Sequence, residues 1–187
     1  MRLLLGVAGA TASGKDTLID KVLSPLGFVS LKTSSMLRRA IPLFHHGIQE
    51  NVADMSPVRL DELGTEIREV HGQDFFTQLA IHENILGTQR VVNGMRRGEE
   101  FDAIHQNNGL VVLVISGIQE SVRRALEVRQ RGIDRNINKT SLRDHIKREK
   151  KELDDLSSRA DLVLVNNFKT KEEFIDFARG KIINLLK

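Results

Sequence analysis

The stretch Gly9-Ala10-Thr11-Ala12-Ser13-Gly14-Lys15 constrains this chain more than any other part of it. It has the spacing G-x-x-x-x-G-K and follows directly on a short apolar run, residues 3–7, that reads as a strand. Glycines let backbone N–H groups turn inward around an oxyanion, and the helix that follows adds its positive end. Lys15 then supplies a full charge to β- and γ-phosphates. Gly9, Ala10, Thr11, Ala12, Ser13, Gly14, Lys15, Asp16 and Thr17 are therefore the candidate nucleotide-binding residues. A glycine-rich turn with a surface lysine is the bland alternative, and the strand–loop–helix setting weighs against it. Position 16 departs from the usual pattern. Asp16 stands where Ser or Thr commonly offers a hydroxyl to magnesium, and Thr17 comes one place late. A carboxylate is a good hard ligand for Mg²⁺, so Asp16 is a candidate metal ligand, directly or through a water. The alternative is that its charge only favours the helix N-terminus.

Strand and helix signals alternate along the rest of the chain. Residues 16–23 read as a helix stopped near Pro25, and 28–31 as a second strand. Helical stretches follow over 34–41, 56–70 and 74–86; in the middle one Ser56 caps and Pro57 takes the first helical position. Leu60, Leu63, Ile67 and Val70 make one apolar stripe there. Residues 90–94 form a third strand. Residues 110–115, Leu-Val-Val-Leu-Val-Ile, are unbroken and β-branched, as suits a strand buried on both faces. A helix over 120–131 comes next, then a highly charged one over 140–156 with a sparse stripe of Leu142, Ile146, Leu153 and Leu156. Residues 161–165 are a fifth strand, and Thr170 with Glu173 forms a capping box for a last helix running to about 186. Strands separated by helices predict an α/β domain, a three-layer αβα fold with a mainly parallel sheet.

At 187 residues the chain is long enough for a single domain with its own core. It has no cysteine, which excludes disulfides, a thiol nucleophile and Cys-ligated zinc or iron–sulfur sites, and fits a reducing, cytoplasmic location. No apolar run approaches a membrane span. A net charge of +3 is too small to point to nucleic acid. The distribution says more than the sum: of the arginines, ten lie between Arg90 and Arg148. Arginine's planar fork suits phosphate recognition. His45-His46 has no third ligand at metal spacing, and His71, His82, His105 and His145 are scattered, so a histidine metal site is not expected.

The loop at 9–17 resembles the phosphate loop of P-loop kinases of the nucleoside monophosphate kinase group, related to adenylate and dephospho-coenzyme A kinases. Thr33-Ser34-Ser35-Met36-Leu37-Arg38 resembles the stretch after strand two in adenylate kinases, and implies that Arg38 holds the acceptor's phosphate. Val92-Asn93-Gly94-Met95-Arg96-Arg97 resembles the segment after strand three, which makes Arg96 or Arg97 a second clamp. Asn93 stands where the group usually has Asp, and the carboxylate gained at 16 and lost at 93 suggests compensation. Arg124, Arg129 and Arg131 resemble the lid arginines, and residues 160–167 the last strand. The resemblance implies strand order 2-3-1-4-5, one kinase domain over 1–187, an acceptor-binding region at about 34–86 and a lid at about 129–150.

It further implies an ATP-dependent, Mg²⁺-requiring enzyme that passes the γ-phosphoryl group to a nucleoside monophosphate or a similar small phosphate acceptor. Lys15, Arg96, Arg124 and Arg129 are the implied catalytic residues; Arg38, Arg96 and Arg97 would bind the acceptor. Two alternatives stand beside it: a dephospho-coenzyme A kinase-like enzyme acting on a hydroxyl, and a nucleotide-binding switch with partner binding as its output. No membrane partner is expected, nucleic acid is disfavoured, and the oligomeric state is left open.

Overall fold

The computed structural model describes residues 3–45, 51–52, 54–83, 89–130 and 139–187. Five parallel strands, β1 (Leu4–Gly9), β2 (Phe28–Lys32), β3 (Gln89–Met95), β4 (Leu110–Ile115) and β5 (Leu162–Val165), form one sheet in the order β2-β3-β1-β4-β5. This is the expected order. The period-two alternation of the strands divides the core. Leu5, Val7, Val91, Val112 and Val114 face one way, against helix α1 (Lys15–Leu18), its continuation through 26, and α8 (Lys171–Leu185). Ala8, Leu31, Val92, Val111 and Leu113 face the other way. There they meet α2 (Thr33–Phe44), α3 (Pro57–His71), α4 (Phe75–His82) and α5 (Gly98–Gln106). Two apolar faces with helices on each give the three-layer αβα sandwich.

The helices largely follow their sequence signals. Ser56 caps α3 by accepting from the Arg59 N–H, and Thr170 and Glu173 form the reciprocal box at α8. The α3 stripe is buried at Leu60, Leu63 and Ile67 but not at Val70, which is 76 % exposed because the helix has by then run past the core. The segment after the loop is not uniform: α1 passes into a π-turn over Ile19–Leu23 and a 3₁₀ turn at Ser24–Leu26. The described part of the helix expected over 74–86 ends at His82, and 84–88 lie outside the described residues. Helix α5 went unread in the sequence, although Phe101, Ala103 and Ile104 are all buried. Helices α6 (Ile118–Gln130) and α7 (Lys139–Asp154) pack together through Val122, Ala125, Leu142 and Ile146. The lid region thus divides. Residues 139–150 lie in this packed helix, while Arg131 and the rest of 131–138 lie outside the described residues. Among the described residues no helix is long and apolar enough to cross a membrane.

Candidate active site at the carboxyl ends of the strands

The loop leaves β1, the central strand, where the chain order reverses across the sheet and open α/β sheets form their ligand crevice. Ala12 has a left-handed backbone (φ 59°), as does Gly14 (φ 108°), and the Ser13 N–H closes a turn on the Ala10 carbonyl at 3.1 Å. A side chain at Gly14 would run into the Asn166 amide and come 3.2 Å from Phe174, so the packing as well as the dihedral requires glycine. Asn166, buried at the end of β5, donates from Nδ2 to the Ser13 carbonyl at 2.8 Å. Arg124 on α6 fixes that amide in turn: its Nη2 donates to Asn166 Oδ1 at 3.2 Å and to the Phe168 carbonyl at 3.1 Å, while Nε donates to Glu120. A chain of hydrogen bonds therefore runs from Arg124 to the phosphate loop. The Arg129 side chain lies outside the described residues.

Lys15 is nearly enclosed, with 16 % of its side chain exposed, and its Nζ is 3.8 Å from Asp16 Oδ2. Burial pulls the Lys15 pKa below the usual lysine value against the opposing pull of Asp16. Arg96, just past β3, adds a second cation that disfavours the lysine's charge. A buried, incompletely neutralised cation on an inward-turned loop is a seat for an anion.

Arg96 and Arg97 are placed by Glu100, a residue the sequence pattern did not single out. This buried carboxylate accepts from the Arg96 N–H at 2.6 Å and the Arg97 N–H at 3.0 Å, and from the Thr77 hydroxyl at 3.2 Å. Burial raises the Glu100 pKa in spite of these donors. Glu149 on α7 is a second unanticipated acid. Only 4 % exposed, it accepts from the Thr11 N–H at 2.7 Å and pairs with Arg96 at 2.7 Å and His145 at 3.2 Å. The signal was legible: 149 continues the spacing of Leu142, Ile146 and Leu153, and holds an acid where the stripe calls for an apolar side chain.

Arg38 and Arg97, the other arginines expected to meet an acceptor, face neutral partners. Arg38 donates to the Val52 carbonyl and Arg97 to the Gln73 side-chain oxygen, and among the described residues neither is in an ion pair. Arg68, another residue not anticipated, lies over the Phe76 ring at 4.7 Å; burial and then the nearby Arg97 lower its pKa. Beside the loop opens a cleft of about 280 Å³ lined by Asp16, Asp20, Ser30, Lys32, Ser35 and Asn93, with Ile19, Leu31 and Met36 as its apolar wall. Asn93 Nδ2 donates to Asp16 Oδ1 at 3.3 Å, while Asn93 Oδ1 and the Ser30 hydroxyl are buried with no partner among the described residues. The Asp16 carboxylate, 64 % exposed, and this spare amide oxygen are hard oxygen donors next to Lys15. That set fits Mg²⁺, which is held by one or two protein oxygens together with substrate phosphates. Among the described residues no group of three His, Asp or Glu side chains could hold a metal by itself.

No family model and no curated protein matches the sequence. Solved structures match its fold. The TT1252 protein of Thermus thermophilus superposes with a TM-score of 0.69 at 17 % identity, covering 100 % of this chain and 98 % of the other. Shikimate kinase from Bacteroides thetaiotaomicron gives 0.61 at 16 % identity, over 98 % of both chains. Dephospho-CoA kinase from Campylobacter jejuni gives 0.54 at 12 % identity, over 98 % of this chain and 97 % of the other. The chain has the fold of P-loop kinases.

Proposed function

We propose that this protein is an ATP-dependent small-molecule kinase that passes the γ-phosphoryl group to a nucleoside monophosphate or a similar phosphate-bearing acceptor. The observation that carries the reading is Lys15: nearly enclosed, 3.8 Å from its nearest carboxylate, and pushed toward neutrality by burial until an anion arrives. The fold shared with two kinases of small molecules supports it.

Phosphoryl transfer asks the protein mainly for positioning and charge. In this reading inward N–H groups of the loop bind the donor's phosphates, Lys15 neutralises them, and Arg96 meets charge developing on the transferring group. Asp16 and Asn93 would hold Mg²⁺, which would supply positive charge to offset that of the donor's phosphates. Arg38 and Arg97 are cations with neutral partners, which an acceptor phosphate can replace without stripping a carboxylate of its counter-ion. Helices α6 and α7 pack beside the loop against Ala12, which puts α7 where it could shield a bound donor from water.

One observation favours a hydroxyl acceptor instead. Asp16 and Asp20 both line the cleft, so α1 and the π-turn that continues it supply carboxylates that the stretch after β2 lacks, and a carboxylate could take a hydroxyl's proton. ADP release from ATP, measured with a panel of nucleoside monophosphates, nucleosides and dephospho-coenzyme A, separates the readings. Acceleration by a monophosphate supports the first, acceleration by an unphosphorylated hydroxyl alone supports the second, and indifference to every acceptor favours a nucleotide switch.

A further inference from the structure

Glu149 is the best-connected acid near the loop, and kinase chemistry gives it no evident task. It reaches Thr11 across 138 residues of sequence, from the middle of α7. Its Oε2 accepts from the Thr11 N–H at 2.7 Å, and its Oε1 is 2.7 Å from the Arg96 guanidinium. Those two groups, an inward-turned loop amide and a facing arginine, are what such a loop offers a phosphate oxygen. The approach is held by packing as well as by charge: Ala12 of the loop packs on the cluster of Val122, Ala125, Leu142 and Ile146 between α6 and α7. His145, one turn earlier, supports the same carboxylate at 3.2 Å. Burial by itself would raise the Glu149 pKa, but Arg96 and the Thr11 N–H outweigh it and keep the carboxyl below its usual value.

We propose that Glu149 is an internal competitor for the donor's phosphates: it fills the anion seat made by the Thr11 N–H and Arg96, and a bound nucleotide displaces it and frees Arg96 for the transferring group. The proposal rests on reading the loop as the donor site. The exchange replaces one anion by another on the same donors, so the loop amide keeps an acceptor and half-exposed Arg96 keeps an anionic partner at either end of it. The Glu149 carboxylate also offsets part of the repulsion between Arg96 and Lys15. Displacement must carry Glu149 away from Thr11, so occupancy of the loop and the seating of α7 are coupled.

The test is calorimetric titration of the full chain with ADP and with inorganic tripolyphosphate, using wild type, Glu149→Gln, His145→Ala and Lys15→Ala. Glutamine can still accept from Thr11 but no longer pairs with Arg96, so Glu149→Gln is expected to bind both ligands about tenfold more tightly. His145→Ala, which removes one support, shifts affinity the same way by less. Lys15→Ala loses binding. Wild-type binding that Glu149→Gln leaves unchanged or weakens overturns the proposal and keeps the donor site. No binding by either folded protein overturns the donor site and the proposal together. Should Glu149→Gln fail to give a cooperative melt, His145→Ala and Glu149→Asp, whose shorter acid falls back from Thr11, carry the same comparison: tighter binding upholds the proposal and equal or weaker binding overturns it.

Discussion

Asn93 on β3 donates to Asp16 in the first turn of α1 across 3.3 Å, so the two positions at which this loop region departs from the usual kinase pattern touch each other. That contact is what a compensating exchange of the carboxylate between the two positions requires. Asn93→Asp alone would set two carboxylates in contact and is expected to weaken magnesium-dependent activity. Asp16→Ser alone removes the sole acid of the pair, and the double variant Asp16→Ser/Asn93→Asp restores one. Magnesium titrations of turnover should show the double variant closer to wild type than Asn93→Asp. Strictly additive losses would show that the two residues do not share a metal.

Lys15→Met separates stability from function. Burial holds the Lys15 pKa down, which means the folded protein prefers the lysine neutral, and at neutral pH the charged form is a burden on the ligand-free fold. Methionine keeps the stem's contacts without the charge. The variant is expected to lose nucleotide binding while its ligand-free Tm rises, by about 2–4 °C for each kcal/mol recovered in a chain of this size. A lowered Tm would show that Lys15 is satisfied in the empty loop.

The strap from Arg124 through Asn166 to Ser13 predicts a particular kinetic pattern. Asn166→Ala leaves the buried Ser13 carbonyl without its donor and takes one of several acceptors from Arg124, at a cost of about 1–3 kcal/mol. The loop then loses its backing, and the donor's KM should rise more than kcat falls. Arg124→Ala is expected to give the same signature, because its guanidinium bonds to Asn166 and to the Phe168 carbonyl. A variant that loses kcat with an unchanged donor KM would instead put Arg124 at the transferring phosphate.

What could be read from the sequence was local. The phosphate loop shows itself in seven consecutive residues, β4 in an unbroken β-branched run, and α8 in its capping box. The sheet order came through resemblance and not from any residue pattern. Helix α5 escaped because two of its first three residues are Glu and its apolar set is short, Phe101, Ala103 and Ile104, so no long stripe announces it. Glu149 and Glu100 escaped for a different reason. Glu149 stands on the apolar stripe of α7, which marks it as buried without saying against what; only the fold shows that α7 crosses the loop at that turn, or that Glu100 sits under the Arg96 and Arg97 N–H groups. Pairings such as Glu149 with Thr11 or Asn166 with Ser13 span 138 and 153 residues, and local periodicity holds no trace of them.

Glu100 predicts a pH dependence whose sign follows from its burial. Its folded pKa is raised, so the unfolded chain gives up this proton first as pH rises from the ordinary carboxylate value. Ionisation then costs the folded state, and stability declines with pH until the raised value is passed. Glu100→Gln keeps an acceptor for the Arg96 and Arg97 N–H groups and leaves Thr77 free to turn its hydroxyl. Urea unfolding from about pH 5 to 8 should show wild-type stability falling relative to this variant, whereas Glu100→Ala should lose about 1–3 kcal/mol at every pH. Parallel curves for wild type and Glu100→Gln would mean that Glu100 titrates normally.

The acceptor itself is testable through Arg38 and Arg97. A phosphate monoester has a second pKa of about 6 and arrives largely as a dianion, so it needs cations and no base. Arg38 and Arg97 donate to a carbonyl and an amide oxygen, weak partners that a dianion replaces readily. Each of Arg38→Ala and Arg97→Ala should therefore lower acceptor kcat/KM by about 10- to 100-fold, with ADP affinity unchanged. Asp20→Asn should matter little to such an acceptor, because the cleft's carboxylates repel its charge and take no proton from it. The rate should also climb with pH along the acceptor's own ionisation. A hydroxyl acceptor reverses the pattern. Asp16→Asn or Asp20→Asn would then remove the base and cut kcat, the arginine variants would alter KM alone, and the pH profile would follow a carboxylate of the protein. Activity on a free hydroxyl that survives Arg38→Ala and fails in Asp20→Asn would overturn the phosphate acceptor and leave the donor site standing.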